Sequence, residues 1–398
     1  MGQNKSKSTI YENDEMKVLK GIVDKEGPAA ANRYLEGNIN RWKTETVKFA
    51  VSGCTATGKS TFINSLRNVK RGDQGYADVG FGDTTKEPTP YSHPDNDKIV
   101  YYDLPGVGTL EIKKENFIND MKISDYDFIF IFFDKVITED NLWLVGELDK
   151  MGKPYCFVRS KLDEDMNNAE RENIDRTKVL STIREKIEKS LEKHEKLKNS
   201  KKLFFISGVD KSIGQMSELV SYVESNVDKF KCEAVMSSMT VFSEDIIHLK
   251  HKVLKKRIKI ISLAAAAIAA TPVPGVDFAL NITLLVEEVY HYINCLGLSA
   301  TKMEHLENFD RSNLKCSKIL LPKAKIASWV IVRLGFFASV MVAENVLDLI
   351  LPFVGSLISG VTASAITYKF LNGVLDDIRD DAIYVYRHIV EQQSNIRL

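Results

Sequence analysis

Two kinds of hydrophobic pattern divide the chain. In the first half, short apolar runs rich in β-branched and aromatic residues recur at wide intervals, which predicts buried strands separated by helices and loops. The runs are 47–51, 99–103, 128–133, 154–159 and 203–206. Beyond residue 230 we find no convincing strand alternation, and the pattern indicates helices. Residues 11–40 also carry apolar positions at helical spacing, interrupted at Gly27-Pro28.

These patterns predict an α/β domain over residues 41–230 and helical segments at 1–40 and 231–398. A chain of 398 residues is long enough for two domains with sizeable cores. We expect the N- and C-terminal helices to combine into one all-α domain beside the α/β domain.

The first strand leads into a phosphate-binding motif. The run from Gly53 to Ser60 fits G-x-x-x-x-G-K-[ST], and its strand–loop–helix setting argues against the alternative of a glycine turn with a chance lysine. Glycines let backbone N–H groups point at phosphate oxygens, and the following helix N-terminus adds partial positive charge. Lys59 is predicted to reach the β- and γ-phosphates, and Ser60 to ligate Mg²⁺. The nucleotide-contacting candidates here are Gly53, Thr55, Thr57, Gly58, Lys59, Ser60 and Thr61.

The second strand ends in an acid. Asp103 and Gly106 form a D-x-x-G motif directly after it. Asp103 is expected to hold Mg²⁺ through water, and the Gly106 N–H to contact the γ-phosphate. A turn without function is the alternative for so short a motif. The order of the motifs, each placed after an apolar strand, argues against that alternative.

Two later loops predict the base. Ser160-Lys161-Leu-Asp163 follows a strand where GTPases carry N/T-K-x-D, with serine in place of the usual asparagine or threonine. Asp163 is predicted to accept hydrogen bonds from the guanine N1–H and N2–H₂, which adenine lacks, and the Lys161 stem to cover the base. The backbone at Ser207 could contact guanine O6. These residues predict GTP and GDP rather than adenine nucleotides.

A Gly-, Asp- and Thr-rich stretch, 71–93, shows no apolar period and predicts a functional loop, the alternative being a solvated loop with incidental threonines. It offers Thr84 or, as we prefer, Thr85 as a further Mg²⁺ ligand. Val107 follows Gly106 where Ras-type GTPases have a glutamine that orients the attacking water. Because valine cannot hydrogen-bond water, we expect the missing group to come from Glu87 or from a second G domain. Turnover is then slow in the monomer and faster on self-association.

Together these motifs resemble the immunity-related GTPases, an interferon-inducible family. The resembling segments are 53–60, Thr85 with 90–94, 103–108, 155–163 and the N-terminal Met-Gly-Gln. The chain has the Gly-Lys-Ser P-loop of the effector-type members, whereas regulator-type members have Met in place of Lys. The resemblance implies a catalytic residue after the fourth G-domain strand that acts across a dimer. Lys135 is the candidate there.

The resemblance further implies a Ras-like P-loop G domain in a dynamin-like protein that hydrolyses GTP to GDP and phosphate with Mg²⁺. It implies homo-oligomers through G domains, related GTPases as regulators, and cell-autonomous innate immunity as the setting. The expected location is cytoplasmic, peripherally on endomembranes such as ER, Golgi or a pathogen-containing vacuole. A GTP-dependent scaffold that does not turn over, and a transmembrane-anchored GTPase, are the alternatives.

Composition narrows the partners. The 54 basic and 54 acidic residues give a formal net charge of zero, so no global field favours nucleic acid. Five cysteines without metal-ligand spacing predict reduced thiols.

Membrane attachment is predicted at the N-terminus. Met1-Gly2 begins an M-G-x-x-x-[ST] motif for myristoylation of Gly2, the alternative being an ordinary disordered start. The apolar stretches 258–286 and 330–370 contain prolines, glycines or acids and predict buried helical hairpins, with insertion into a bilayer as the alternative.

Overall fold

The computed structural model describes residues 18, 21–22, 24–79, 87–107, 114–191, 202–269, 276–299, 303–304, 306–316, 326–335 and 357–396. Two compact units divide the chain, one of residues 44–246 and one that joins 1–43 to 247–398. The hydrophobic pattern predicts a boundary at residue 230 instead. The structure assigns 231–246 to the sheet unit because the helix Lys229–Ser238 packs against two of its central strands.

The sheet unit is built on strands that share one sheet. Within the described residues they are β1 Val47–Gly53, β2 Thr89–His93, β3 Asn96–Asp103, β4 Phe128–Phe133, β5 Tyr155–Arg159 and β6 Leu203–Phe205. Their order is β2-β3-β1-β4-β5-β6, and only the β2–β3 pairing is antiparallel within this sheet. Because the other strands are parallel, their carboxyl ends meet at one edge of the sheet. The loops after β1, β3, β5 and β6 therefore lie at the same edge.

Helices connect these strands and build the second unit. In the described ranges they include α1 Pro28–Asn40, α2 Lys59–Arg67, α3 Lys114–Asp120, α4 Glu139–Lys150, α5 Leu162–Arg171, α6 Arg176–Leu191, α7 Met216–Asn226, α8 Lys229–Ser238, α9 Glu244–Ala269, α10 Val276–Cys295 and α11 Leu357–Ile396. Residues 326–335 are also helical. The predicted strand runs all became strands. In β1, β4 and β5 the side chains are buried on both faces, as their continuous apolar character requires, whereas β3 alternates between buried and partly exposed positions.

One strand was not predicted. Residues 89–93, which we interpreted as the end of a loop, form β2 at the edge of the sheet. Its side chains are mostly exposed, so it has no apolar period to detect. Pro90 lacks an N–H group and is tolerated because an edge strand pairs on one side alone.

Aromatic residues fill the sheet core. Phe49, Phe130 and Phe132 of β1 and β4 lie within 6 Å of one another's rings or of Phe62 on α2. These contacts fix α2 against the sheet, and α2 begins at the phosphate-binding loop. The core therefore holds the first turn of α2 in place.

The helical unit contains a buried ion pair. Arg257 of α9 donates from Nε to the Glu288 carboxylate of α10 at 2.7 Å, and both side chains are buried. Its Nη1 also donates to the carbonyl of Ile39 in α1 at 2.8 Å. This contact confirms that N- and C-terminal helices pack together in one unit.

The structure describes different parts of the two apolar stretches, 258–286 and 330–370. Residues 258–286 contribute to α9 and α10, which are separate helices. In 330–370, helical residues reach 335 and resume with α11, and 336–356 lie outside the described residues. Within the described ranges, no helix has both the length and the apolar character needed to cross a membrane.

Candidate functional site

The loop between β1 and α2 depends on two glycines. Gly53 has φ +150°, and a Cβ there would lie 2.2 Å from the Phe132 carbonyl oxygen of β4. Gly58 is the N-cap of α2 with φ +87°, and a Cβ there would lie 2.7 Å from the Ser160 hydroxyl. Because no side chain fits at either point, the backbone can curve closely around a bound group.

The loop also holds its own lysine. Lys59 Nζ donates to the carbonyl oxygens of Gly53 at 2.9 Å and Cys54 at 3.1 Å, so its ammonium group lies over the loop. The buried Thr57 hydroxyl donates to the same Cys54 carbonyl at 2.8 Å. Ala56 has φ +64°, in the left-handed region that favours glycine. The loop is thus curved by its backbone and carries one central cation.

Ser60, in the first turn of α2, meets Asp103 at the carboxyl end of β3. The Ser60 hydroxyl donates to Asp103 Oδ2 at 2.9 Å. Burial raises the pKa of the Asp103 carboxyl above its usual value, while Lys59 and the Ser60 hydrogen bond act in the opposite direction. Asp103 Oδ1 is buried without a hydrogen-bond partner among the described residues. A hydroxyl beside a carboxylate with an unused oxygen is an oxygen donor set that suits Mg²⁺.

The loop after β3 touches the loop after β1. A Cβ at Gly106 would lie 3.3 Å from the Gly53 carbonyl oxygen, so the two backbones are in close approach. The next residue, Val107, is 9% exposed and packs in the core cluster with Leu104 and Phe117. Gly106 is therefore at the phosphate loop, whereas the Val107 side chain contributes to the core.

The predicted base-recognition segment also reaches the phosphate loop. Ser160 follows β5, is buried, and donates its hydroxyl hydrogen bond to the Thr57 carbonyl. Lys161 has φ +62° and is the N-cap of α5, and Asp163 is half-buried in the first turn of that helix. The serine in place of asparagine therefore still connects the base segment to the phosphate loop.

The loop after β6 completes this edge. The buried Ser207 hydroxyl accepts from the N–H groups of Val209 at 3.1 Å and Asp210 at 2.9 Å, which closes a tight turn. A Cβ at Gly208 would lie 3.1 Å from Thr61 Cγ2 on α2. Four loops thus converge on the first turn of α2 and the residues before it.

Other predicted residues lie elsewhere. Thr85 and Gly2 are outside the described residues. Thr55 is exposed in the phosphate loop. Glu87 is exposed, and its backbone carbonyl accepts from the Thr89 hydroxyl at 3.2 Å. Lys135 is exposed directly after β4, at the carboxyl edge of the sheet.

Sequence reasoning missed the residues that anchor the loop after α2. Asn64 donates to the Ala77 carbonyl at 2.7 Å and accepts from its N–H at 2.8 Å. Arg67 donates to Gly75 at 2.7 Å and to Ser92 at 2.8 Å. Polar residues on the buried face of a helix were the available signal. They show that α2 contacts both the start of the segment that follows it, at Gly75 and Ala77, and β2 at Ser92.

The comparison with known families decides the identity. Residues 15–316 match the family described as interferon-inducible GTPase. The chain belongs to this family. The predicted resemblance is confirmed, and so is the fold class of a Ras-like P-loop G domain with an all-α helical domain.

Two relatives, from mouse and rat, agree with the assignment. This interferon-inducible GTPase is 27% identical over 308 residues to mouse T-cell-specific guanine nucleotide triphosphate-binding protein 2, covering 76% of this chain and 73% of that protein. It is 26% identical over 376 residues to rat interferon-inducible GTPase 5, covering 92% and 80%. Among solved structures, Era in complex with MgGDPNP and 16S ribosomal RNA nucleotides has a TM-score of 0.34 at 17% identity, over 55% of this chain and 67% of that chain. Membership in the family assigns GTP binding, GTPase activity and an immunity-related role in general terms.

Proposed function

We propose that this interferon-inducible GTPase hydrolyses GTP with Mg²⁺, that it does so slowly as a monomer, and that it assembles through its G domains on intracellular membrane surfaces. The observation that carries the proposal is the pairing of Ser60 with Asp103 beside Lys59. A cation, a hydroxyl and a carboxylate at a glycine-rich loop are what a nucleoside triphosphate with its metal requires.

Each group has a role in the reaction. Lys59 exchanges its carbonyl contacts for β- and γ-phosphate oxygens, and the N–H of Gly106 contacts the γ-phosphate. Ser60 and Asp103 would hold Mg²⁺ together with Thr85, Asp103 acting through water. When bound, Mg²⁺ neutralises charge on the phosphates.

Guanine selectivity comes from Asp163. Its carboxylate accepts from the two guanine edge donors, Lys161 covers the base, and the Ser207 turn presents backbone to O6. Support comes from the contact of Ser160 with Thr57, which connects base and phosphate segments within one frame. GTP and GDP are accordingly the nucleotides we expect it to bind.

The need for self-association rests on Val107. Its side chain is buried in the core, so this position supplies no group to orient water. Lys135 and Glu87 are exposed and accessible to a second G domain. We expect one or both to contribute across a dimer of this chain, with related GTPases as regulators of assembly.

Membrane action rests on a myristoyl group at Gly2 combined with assembly of the protein. A myristoyl group on Gly2 gives only marginal and reversible membrane binding. An oligomer carries many such groups, so assembly converts weak attachment into stable attachment. The protein is then cytoplasmic when free and peripheral on endomembranes when assembled, in cell-autonomous immunity.

The second candidate is a GTP-dependent scaffold that recruits partners to membranes without turnover. The buried Val107 favours it, because a G domain without a water-orienting group holds GTP for long periods. Multiple-turnover release of phosphate at high protein concentration distinguishes the two functions.

Nucleotide binding tests the site directly. Calorimetric titration with GTP and with ATP, each in Mg²⁺, is expected to show binding of GTP alone to the wild type. Lys59→Ala is expected to abolish binding, whereas Lys70→Ala, an exposed lysine after the same helix, leaves it unchanged. Asp163→Asn is expected to weaken the binding of GTP. Glu164→Gln, in the same helical turn, is its control. Unchanged GTP affinity in Asp163→Asn contradicts the base assignment.

A further inference from the structure

A buried arginine lies next to the base-recognition segment. Arg159 is the last residue of β5, and 6% of its side chain is exposed. Its two terminal nitrogens donate to the two carboxylate oxygens of Asp165, Nη2 reaching Oδ1 at 3.1 Å and Nη1 binding Oδ2. This forked arrangement fixes orientation as well as distance, because both groups are planar.

The pair closes the turn that leads from the end of β5 into the first turn of α5. Lys161, in the middle of the turn, adopts φ +62°, which is unfavourable for a residue with a side chain. As the N-cap of α5 it makes no side-chain capping bond. Two backbone bonds tie the turn to Ile206, directly after β6: Leu162 N–H donates to the Ile206 carbonyl at 3.1 Å, and Ile206 N–H donates to the Arg159 carbonyl at 2.9 Å. Arg159 and Asp165 lie on either side of this turn and tie its two ends together.

Asp163 is carried by the same turn. It lies two residues before Asp165, in the first turn of α5. The orientation of that turn sets where the Asp163 carboxylate points. Recognition of the guanine edge needs both carboxylate oxygens of Asp163 at hydrogen-bond distance from the base. Small displacements weaken such contacts steeply.

Stability alone does not account for the pair. Taking the Arg159 guanidinium out of water is costly, whereas Asp165 is still 25% exposed, and apolar replacements of buried ion pairs are often neutral or stabilising. Arg159 Nε is buried with no hydrogen-bond partner among the described residues, which adds to the cost. In the sheet, Arg159 pairs in register with Phe133 and Phe205, which are both buried, so the arginine lies beside apolar residues. What the pair provides is a fixed geometry of the turn.

We propose that Arg159 and Asp165 are positioning residues for base selectivity, acting through Asp163. The proposal rests on the proposed function, in which Asp163 binds the guanine edge. Neither residue needs to touch the nucleotide. Their effect is to hold the first turn of α5 so that both guanine donors meet the carboxylate.

The inosine nucleotides provide the specific readout, because hypoxanthine keeps N1–H and lacks the 2-amino group. The 398-residue chain is titrated with GDP and with IDP. Since a hydrogen bond to a charged group is a strong one, the wild type is expected to prefer GDP by roughly tenfold or more. In Arg159→Met the ratio is expected to fall to about two, chiefly through weaker GDP binding. Arg171→Met, an exposed arginine at the end of α5, keeps the wild-type ratio.

Two further variants separate positioning from folding. Asp165→Asn keeps the side-chain volume and removes the charge, so it tests the pair if Arg159→Met does not fold. Arg159→Lys keeps the charge and loses the fork, and is expected to restore part of the ratio. An unchanged GDP-to-IDP ratio in folded variants, or an equal loss for both nucleotides, overturns the positioning role. A wild type that does not prefer GDP over IDP overturns the proposed function itself.

Discussion

The Ser60 hydroxyl donates a 2.9 Å hydrogen bond to the Asp103 carboxylate, joining the first turn of α2 to the end of β3. The two residues are 43 positions apart in the chain. They meet because β1 and β3 are parallel neighbours with Val51 beside Asp103. This contact brings two of the proposed metal-binding groups together.

Removal of the hydroxyl tests the metal role. Ser60→Ala is expected to weaken Mg²⁺-dependent GTP binding by roughly the 10–100-fold that loss of a metal-site partner costs. Binding measured with EDTA in place of Mg²⁺ is expected to change much less. Ser65→Ala, on the same helix, is the control. An equal loss with and without Mg²⁺ contradicts the metal assignment.

Gly58, at the start of α2, is expected to be sensitive to the addition of a single methyl group. Gly58→Ala places a Cβ 2.7 Å from the Ser160 hydroxyl at φ +87°. A left-handed residue with a Cβ costs about 1–2 kcal/mol, and the displaced serine breaks its contact with the phosphate loop. We expect a lower free energy of unfolding in denaturant titrations and loss of GTP binding.

Gly146→Ala is the matched control. Gly146 lies in α4 with no neighbouring atom within 4 Å of an added Cβ. The same substitution there is expected to stabilise by about 0.5–1 kcal/mol, because glycine in a helix interior is unfavourable. Similar effects at the two positions would refute the role assigned to Gly58.

Much of the site was predictable because its motifs are local. Gly53, Gly58, Lys59 and Ser60 are close in sequence, and each motif follows an apolar run that had to be a buried strand. What joins the motifs is not local. Nothing in the sequence places Ser160 against Thr57, because that contact depends on the packing of β5 near β1 across β4.

The helical unit provides a pH-dependent prediction. Burial, followed by the charges of Arg257, Lys43 and Lys250, lowers the pKa of His291 well below 6.5. The unfolded chain therefore takes up a proton below pH 6.5 that the folded chain refuses. This contribution to stability is complete above pH 6.5 and declines as the pH falls, by about 1.4 kcal/mol per pH unit.

Denaturant midpoints from pH 7.5 to pH 5.5 measure this effect. His291→Gln is expected to flatten the decline, because glutamine does not titrate. His248→Gln, an exposed histidine on α9, is expected to keep it. Identical pH profiles for the wild type and His291→Gln would exclude His291 as the cause.

Val107 tests whether a single substitution can restore a water-orienting group. Val107→Gln is expected to leave the GTP turnover of dilute protein unchanged, because the side chain points into the core. It is also expected to destabilise the fold by about 1–3 kcal/mol by burying an unpaired amide. Val107→Met, of similar length without the amide, is the control. A tenfold faster turnover in Val107→Gln than in Val107→Met would place this side chain at the reaction.

The edge strand shows why part of the fold escaped prediction. β2 has mostly exposed side chains and contains Pro90, so neither alternation nor propensity marks it. Residues 89–93 form a strand because their backbone pairs with the otherwise unpaired edge of β3. Tertiary pairing of this kind is absent from single-segment patterns.

GTP turnover as a function of protein concentration tests the central claim most directly. Phosphate release per molecule is measured for the full chain in GTP and Mg²⁺, from dilute to concentrated protein, with Lys59→Ala as the inactive control. A buried Val107 and exposed Lys135 and Glu87 predict that turnover per molecule rises with concentration before it levels off. Turnover per molecule that stays constant over that range would contradict a G domain completed by self-association.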